Sequence, residues 1–150
     1  MWLAVDQDSR RQVADFLGRL GRGLSSRTHL NLGPVRNSAA LPAGSPDLSG
    51  YTRVIIASHA SHALKEHGPG SAKWDGGDRL SAADFTQIDA VVANADQIRV
   101  YTRKTETRIK YEARIGRRDY VYVETISAKQ RRVGFKTMWR KRVNPRGSRS

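Results

Sequence analysis

Hydrophobic residues recur with a helical period near the start of the chain and alternate as in strands near its end. Residues 7–22 place four apolar side chains at helical spacing, which predicts a short amphipathic helix: Val13, Phe16, Leu17 and Leu20. Residues 23–50 are rich in Gly, Ser, Pro and Ala and show no sustained period, so we expect a linker there. The helix is then either a remnant of a larger carrier chain or a clasp on the domain that follows.

A compact domain is predicted from residue 51 onward. A strand over residues 51–58 leads into a helix over residues 59–68, which Gly68 is positioned to end. The S-x-x-D capping sequence that starts at Ser81 predicts a second helix over residues 81–96. Four strands with short turns follow, at residues 97–102, 107–115, 119–127 and 132–140.

Short connections between consecutive strands favour an antiparallel arrangement. The predicted fold class is therefore α+β, with N-terminal helices packed on a four-stranded antiparallel β-meander. The domain is expected to span residues 51–142, and residues 143–150 are expected to be a disordered basic tail.

Alternation within the strands predicts which side chains share a face of the sheet. In residues 107–115 one face is charged and the other apolar, the apolar set being Ile109, Tyr111, Ala113 and Ile115. In residues 119–127 we expect Tyr120, Tyr122 and Glu124 on the charged face. The last strand has two interpretations, because strict alternation makes Thr137 a buried hydroxyl, whereas a bulge near Gly134 resets the phase.

The net charge of the chain lies in its last third. The formal charge is +13, and residues 97–150 contain 17 of the 27 Lys and Arg but only 4 of the 14 Asp and Glu. Residues 1–96 are balanced. A folded sheet with this much positive charge favours a polyanionic partner, and nucleic acid is the leading candidate. The alternative is a basic surface that only keeps the protein in solution.

Composition excludes several classes of protein. The chain has no cysteine, so disulfide scaffolds, thiolate metal sites and cysteine nucleophiles are excluded. No apolar run approaches the ~18 residues of a membrane span, and the N-terminus lacks the apolar core of a signal peptide. The nucleotide-binding glycine motifs are missing, which argues against an ADP-ribosyltransferase as a further alternative. We expect no cofactor, no metal site and no membrane association.

The order of several segments resembles the phage-type barnase/EndoU/colicin/RelE-like nuclease families. The segments are HALKEHG (62–68), LSAADFTQIDAVVANAD (80–96), IKYEARIG (109–116), DYVYVETISAKQRR (119–132) and FKTMWRK (135–141). Members of these families often stand at the C-terminus of Mu-like phage head-morphogenesis proteins or of polymorphic toxins. The resemblance implies a metal-independent ribonuclease domain with helices packed on a four-stranded sheet.

Metal-free RNA cleavage uses the 2′-hydroxyl as nucleophile and leaves a 2′,3′-cyclic phosphate. It needs a base, an acid and cations for the charge that develops on the phosphorane. His67 at the end of the predicted helix is where the resemblance places the functional histidine, and imidazole serves as acid or base near neutrality. We interpret His59 and His62 as surface residues.

The sheet supplies the remaining candidates. Lys110, Thr137 and Glu124 join His67 as catalytic candidates, although a salt bridge across the strands explains Glu124 equally well. Thr137 is suited to donate to a phosphate oxygen. Substrate-binding candidates are the cations that flank the scissile phosphate and one tyrosine that stacks on a base: Arg103, Arg108, Lys136, Arg140 and Tyr122. Tyr111 falls on the apolar face and is expected in the core.

The sequence therefore predicts a metal-independent endoribonuclease toxin domain that acts on RNA (tRNA, rRNA or mRNA). It is expected to act as a monomer in the cytoplasm of a target cell, after delivery by a phage particle or a secretion system. An acidic immunity protein that covers the sheet is the expected partner in the producing cell. The alternative is a non-catalytic nucleic-acid-binding module of a phage structural or packaging protein.

Overall fold

A computed structural model describes residues 2–20, 22–25, 28–68 and 79–141 of the chain. The α-helices are α1 (Trp2–Leu20), α2 (Ala57–His67) and α3 (Ile88–Ala93). The strands are β1 (His29–Pro34), β2 (Thr52–Ile56), β3 (Gln97–Arg103), β4 (Glu106–Ile115), β5 (Arg118–Ser127) and β6 (Arg132–Arg140). Short 3₁₀ helices occupy Ser38–Ala40 and Ala82–Gln87. The tail predicted for residues 143–150 lies outside the described residues.

The strands form one six-stranded sheet in the order β1-β2-β6-β5-β4-β3. All neighbouring strands are antiparallel except β2 and β6, which are parallel. The fold class is α+β, and β3 to β6 form the meander that alternation predicts. The expectation of four strands was wrong, because β1 and β2 extend the sheet beyond β6.

The Gly/Ser/Pro-rich segment contributes to the folded unit, contrary to the expectation of a linker. Its strand β1 pairs with β2, and Leu48 is fully buried in the core. The register of β1 shifts between Asn31 and Gly33, where the Asn31 side chain accepts a hydrogen bond of 2.7 Å from the Gly33 amide. A bulge this close to the middle of a six-residue strand interrupts alternation, so the sequence pattern does not reveal the strand.

The hydrophobic core lies between the helices and one face of the sheet. Helix α1 contributes three buried residues at the predicted spacing, Val13, Phe16 and Leu17. Phe85 stacks on Phe135 of β6 with ring centroids 5.1 Å apart. The predicted helix over residues 81–96 is instead a 3₁₀ turn followed by α3, and Asp84 accepts the Ser81 amide at 2.7 Å as its capping sequence predicts.

The faces of β5 are the reverse of those expected. Tyr111 of β4 pairs with Tyr122 of β5, and their rings stack with centroids 5.8 Å apart in the core. Tyr122 and Glu124 therefore point towards the helices, while Val123 shares the opposite face with Lys110. Apolar and aromatic residues occupy both faces of this central strand, so composition does not indicate which face is buried.

A bulge sets the faces of β6. Glu124 pairs with Phe135 and Val123 pairs with Thr137, which leaves Lys136 as the extra residue. Phe135 and Met138 consequently face the core, where both are fully buried. The bulge interpretation is correct, but the bulge lies at Lys136, two residues beyond Gly134.

Candidate functional site

The sheet face opposite the helical core carries most of the charged side chains of the meander, and we call it the basic face. Register places its residues in rows across the strands. One row is Tyr101, Arg108 and Thr125, and the next is Arg99, Lys110, Val123 and Thr137. Three of the predicted site residues, Arg108, Lys110 and Thr137, therefore lie on one face in adjacent rows.

Helix α2 brings a histidine to the edge of this face. Strand β2 pairs with β6 only through Thr52 to Val54. It leads directly into α2, which packs beside the remainder of β6. His59 in the first turn of α2 is half-buried, and its Nδ1 lies 2.9 Å from the carbonyl oxygen of Phe135. When the N–H of Nδ1 donates a hydrogen bond to this carbonyl, Nε2 is the ring nitrogen that can exchange a proton with a ligand.

Four side chains form what we call the Glu106 cluster: His59, Glu106, Arg108 and Lys136. Arg108 donates to Glu106 Oε1 through Nε at 2.9 Å and Nη2 at 2.5 Å. Lys136 Nζ lies 3.7 Å from the same oxygen, and this lysine is the extra residue of the β6 bulge. Glu106 keeps 37% of its side chain exposed, so its carboxylate remains accessible to a ligand.

The cluster keeps Glu106 ionised. Hydrogen bonds from Arg108 lower the pKa of Glu106, and the positive charges of Lys136, Arg108 and His59 lower it further, against a smaller opposing effect of burial. An ionised carboxylate between an imidazole and two cations contains the group types of an acid–base phosphodiester site. The arrangement offers a proton acceptor, a proton donor and two cations for a phosphate.

The predicted catalytic residues Lys110 and Thr137 lie beside the Glu106 cluster. Lys110 is one row further along β4 than Arg108, and its Nζ lies 3.9 Å from Glu112 Oε2. Thr137 immediately follows Lys136 and is half-buried. The structure brings both residues close to the cluster, and their roles stay predictions.

His67 lies at the far end of α2. Its ring centroid is 5.6 Å from that of Trp139, which is three residues beyond Lys136 on β6. Eight residues of α-helix separate it from His59, a rise of about 12 Å. The structure thus places His59, which we had interpreted as a surface residue, at the Glu106 cluster and places His67 at the other end of the helix.

Glu124 and Tyr122 lie in the core rather than on the basic face. Arg53 Nη2 donates to Glu124 Oε2 at 3.2 Å, and the hydroxyls of Tyr111 and Tyr122 donate to the two carboxylate oxygens at 2.9 Å each. Burial, followed by the charge of Glu124, raises the pKa of both tyrosines. Because Glu124 is fully buried and saturated with donors, its assignment as general base was wrong, as was the stacking role of Tyr122.

Arg140 and Arg103 have different surroundings. Arg140 Nε lies 3.7 Å from the buried carboxylate of Asp84, which also accepts a hydrogen bond of 2.5 Å from Tyr120. Arg140 is therefore directed to the helical side of the sheet, which does not fit its predicted role in substrate binding. Arg103 is exposed at the end of β3, where it pairs with Glu106 in the register.

Sequence reasoning missed Glu106 and His59. Glu106 falls in the turn that the predicted strands leave at residues 103–106, yet extending β4 by one residue gives it the parity of Arg108 and Lys110 on the charged face. Strand parity was thus a usable signal. No comparable signal existed for His59, because its position depends on how α2 packs beside the bulge.

The described residues contain no group of three or more His, Asp or Glu arranged to hold a metal ion. None of the helices in the described part of the chain is long and apolar enough to cross a membrane. The absence of a metal requirement stays a prediction.

Residues 35–145 match the family model described as phage-Barnase-EndoU-ColicinE5/D-RelE like nuclease3. The chain belongs to this nuclease family. The match includes every strand from β2 to β6 and all members of the Glu106 cluster, and it confirms the resemblance stated from the sequence. No significant match came from the curated proteins or from the solved structures.

Proposed function

We propose that this nuclease domain is a metal-independent endoribonuclease whose reaction takes place at the Glu106 cluster. The observation that carries the proposal is the contact of one ionised, accessible carboxylate with Arg108 and Lys136 on the basic face, beside His59. These are the groups needed for attack of a 2′-hydroxyl on the adjacent phosphate without help from a metal ion.

Each group of the cluster has one part in the proposed cleavage. Glu106 accepts the proton of the 2′-hydroxyl, and the 2′-oxygen forms a bond to phosphorus. The bond from phosphorus to the 5′-oxygen breaks, and His59 donates a proton from Nε2 to that leaving oxygen. Arg108 and Lys136 stabilise the negative charge on the non-bridging oxygens. The products are a 2′,3′-cyclic phosphate and a free 5′-hydroxyl.

RNA is the proposed substrate because this chemistry consumes the 2′-hydroxyl that DNA lacks. The low pKa of Glu106 supports its role as the group that is already deprotonated at neutral pH, although a carboxylate with a low pKa is a weak base. The contact with Arg108 also positions the guanidinium for the phosphate. Glu106 therefore has both a chemical and an organising role.

The biological setting that we propose is that of a toxin. The domain would be delivered to a target cell by a phage particle or a secretion system and would act in its cytoplasm on tRNA, rRNA or mRNA. A cognate immunity protein with an acidic surface would cover the basic face in the producing cell. The positive charge of residues 97–150 supports this complementarity.

The deciding experiment compares the two histidines. Purified wild-type protein, His59→Ala, His67→Ala and Glu106→Gln are incubated with total RNA and with plasmid DNA in EDTA, and the RNA ends are analysed. We expect RNA fragments with 2′,3′-cyclic phosphates from the wild type and a loss of at least about 100-fold for His59→Ala and Glu106→Gln. Activity lost in His67→Ala but kept in His59→Ala would move the acid to His67, beside Trp139.

The second candidate function is binding without cleavage, as in a packaging or structural module. It is favoured by the charge distribution alone, which suits any polyanion. Binding of RNA and DNA with equal affinity, no cleavage of either and no effect of His59→Ala would support it.

A further inference from the structure

Two hairpins leave the sheet at the same end as the Glu106 cluster. Thr107 of β4 pairs with Ile126 of β5, so the β3–β4 turn and the β5–β6 turn project side by side. Three of the exposed cations on these hairpins form what we call the hairpin rim: Arg103, Lys104 and Lys129. The rim adjoins the cluster directly, because Arg103 is the cross-strand partner of Glu106.

Lys104 has a backbone conformation that normally selects glycine. The β3–β4 turn has two central residues, Lys104 and Thr105, of which only Lys104 has positive φ, at 58°. Positive φ at the first central residue alone is the pattern of a type II′ turn, in which glycine is usual. A β-carbon in this conformation is strained, so the lysine is kept at a cost in stability.

The turn at the opposite end of the sheet provides an internal comparison. The β4–β5 turn also has two central residues, Gly116 and Arg117, and Gly116 has φ of 64°. The first central residue of each turn thus has a positive φ, and it is a glycine away from the cluster and a lysine beside it. Strained positions of this kind persist where a side chain has a role that outweighs the strain.

Two of the arginines that flank the turn at the opposite end are paired with carboxylates. At the opposite end, Arg114 lies 3.6 Å from Asp119 and Arg118 lies 3.4 Å from Asp84. At the rim, neither Lys104 nor Lys129 has a carboxylate partner among the described residues. Arg131 is engaged elsewhere, over the ring of Tyr51 at 5.4 Å, and is not part of the rim.

We propose that the hairpin rim binds backbone phosphates of a polynucleotide that extends beyond the scissile phosphate held at the Glu106 cluster. This inference rests on the proposed function and adds a substrate class to it: an RNA strand longer than a dinucleotide. Unpaired lysines on neighbouring hairpins bind successive phosphates through charge, without reading the bases. Each contact also releases counterions, so the rim contributes to the salt dependence of binding.

The test uses Lys104→Gly, which removes both the charge and the backbone strain. Cleavage of a dinucleoside monophosphate and of a 20-nucleotide RNA is compared at several salt concentrations for the wild type, Lys104→Gly and Lys104→Gly/Lys129→Ala. Arg117→Ala is the matched control, because it removes an exposed cation from the equivalent turn at the opposite end.

We expect Lys104→Gly to lower kcat/KM for the 20-nucleotide RNA on the order of fivefold at low salt and to leave the dinucleotide rate within twofold. The slope of log affinity against log salt should fall by about 0.7 per lost contact on single-stranded RNA. The melting temperature of Lys104→Gly should equal or exceed that of the wild type. A variant that is more stable but binds more weakly excludes a merely structural role for the lysine.

Equal losses on both substrates, or an equal loss for Arg117→Ala, would overturn the proposal. A separate assay keeps it distinct from the proposed function: binding of a 20-nucleotide strand whose 2′-hydroxyls are methylated, measured by fluorescence anisotropy. If the wild type cleaves nothing but Lys104→Gly binds this strand more weakly than the wild type does, the proposed function is wrong and the role of the rim is supported. If the wild type cleaves RNA and all variants bind the methylated strand equally, the proposed role of the rim is wrong and the proposed function is supported.

Discussion

Two glutamates on adjacent strands have opposite surroundings, and this contrast separates chemistry from stability. Glu106 on β4 keeps 37% of its side chain exposed on the basic face, whereas Glu124 on β5 is fully buried against Arg53. A carboxylate in the first environment can contact a substrate, and one in the second cannot. The same residue type is therefore catalytic in our proposal at one position and structural at the other.

Substituting each glutamate by glutamine tests this division. Glu124→Gln leaves the buried guanidinium of Arg53 without its counter-charge, so we expect the free energy of unfolding to fall by about 3 kcal/mol or more. Glu106→Gln is at an exposed site and should change it by less than about 0.5 kcal/mol. Urea unfolding measures both values.

Activity should show the reverse order. Per folded molecule, Glu124→Gln is expected to retain its cleavage rate, while Glu106→Gln loses on the order of 100-fold or more. Rates are compared without urea, at a temperature at which circular dichroism shows that each variant is fully folded. Full activity in Glu106→Gln would remove this carboxylate from the mechanism.

The pH dependence of the reaction follows from the environment of Glu106. Because Arg108, Lys136 and His59 lower its pKa from the ordinary value of 4.5, the carboxylate stays deprotonated down to more acidic pH. The acidic limb of the kcat/KM profile should therefore lie below pH 4.5. The ionised Glu106 carboxylate also stabilises the fold. Because its pKa is lower in the folded than in the unfolded protein, this stabilisation is fully present above the unfolded-state pKa and is lost as the pH falls through the folded-state pKa.

Lys136→Met removes one of the charges that lower the pKa and should move the acidic limb to higher pH, while Lys136→Arg should leave it in place. The measurement is kcat/KM on a dinucleoside monophosphate from pH 3 to pH 7. A limb that does not move in Lys136→Met, although the rate falls, would mean that another group titrates there.

At the scale of elements, the bulge in β6 arranges the site. Counted from the buried Phe135, regular alternation would place Lys136 on the basic face and Thr137 in the core. The extra residue instead puts Lys136 and Thr137 on the basic face together. The bulge also follows the carbonyl of Phe135 that His59 contacts. The bulge thus brings Thr137 to the basic face, next to two members of the Glu106 cluster, Lys136 and His59.

Deleting Lys136 should restore regular alternation without moving any other side chain to the wrong face. Phe135 and Met138 would remain in the core, and Thr137 and Trp139 would remain on the basic face. We therefore expect the deletion variant to fold, with a cooperative melting transition, and to lose activity. Its control is the deletion of Thr137, which leaves Lys136 in the alternating position. If deleting Lys136 keeps full activity, neither the lysine nor the bulge is needed.

Elements were predictable where the period of the sequence is regular. Three apolar residues of α1 are buried at the predicted helical spacing, strands β3 to β6 lie within one residue of their predicted bounds, and Gly68 ends α2 as expected. Strand β1 escaped prediction because of its bulge, and the faces of β5 because tyrosines are suited to either side of a sheet. Glu124 and Tyr122 were assigned to the wrong face for the same reason, and the position of His59 depends on tertiary packing.

At the scale of the whole molecule, positive charge is concentrated on the part that carries the site. Residues 97–150 have 17 basic and 4 acidic residues, and all four strands of the meander lie within this segment. The buried pair of Arg53 and Glu124 is neutral in sum and does not contribute to this field. An acidic partner that covers the basic face would therefore be attracted mainly by the meander.

A polyanion without nucleobases or ribose tests this attraction. We expect polyglutamate to inhibit cleavage of a 20-nucleotide RNA at 50 mM salt and to lose most of its effect at 300 mM, because the Debye length falls below the ~10 Å found at 0.1 M. Dextran is the uncharged control. Inhibition should also weaken in Lys104→Gly/Lys129→Ala, which lacks two of the exposed cations beside the cluster. Inhibition that persists unchanged at high salt would show that binding to this face depends on contacts other than charge, and an acidic surface would then be insufficient to identify the immunity partner.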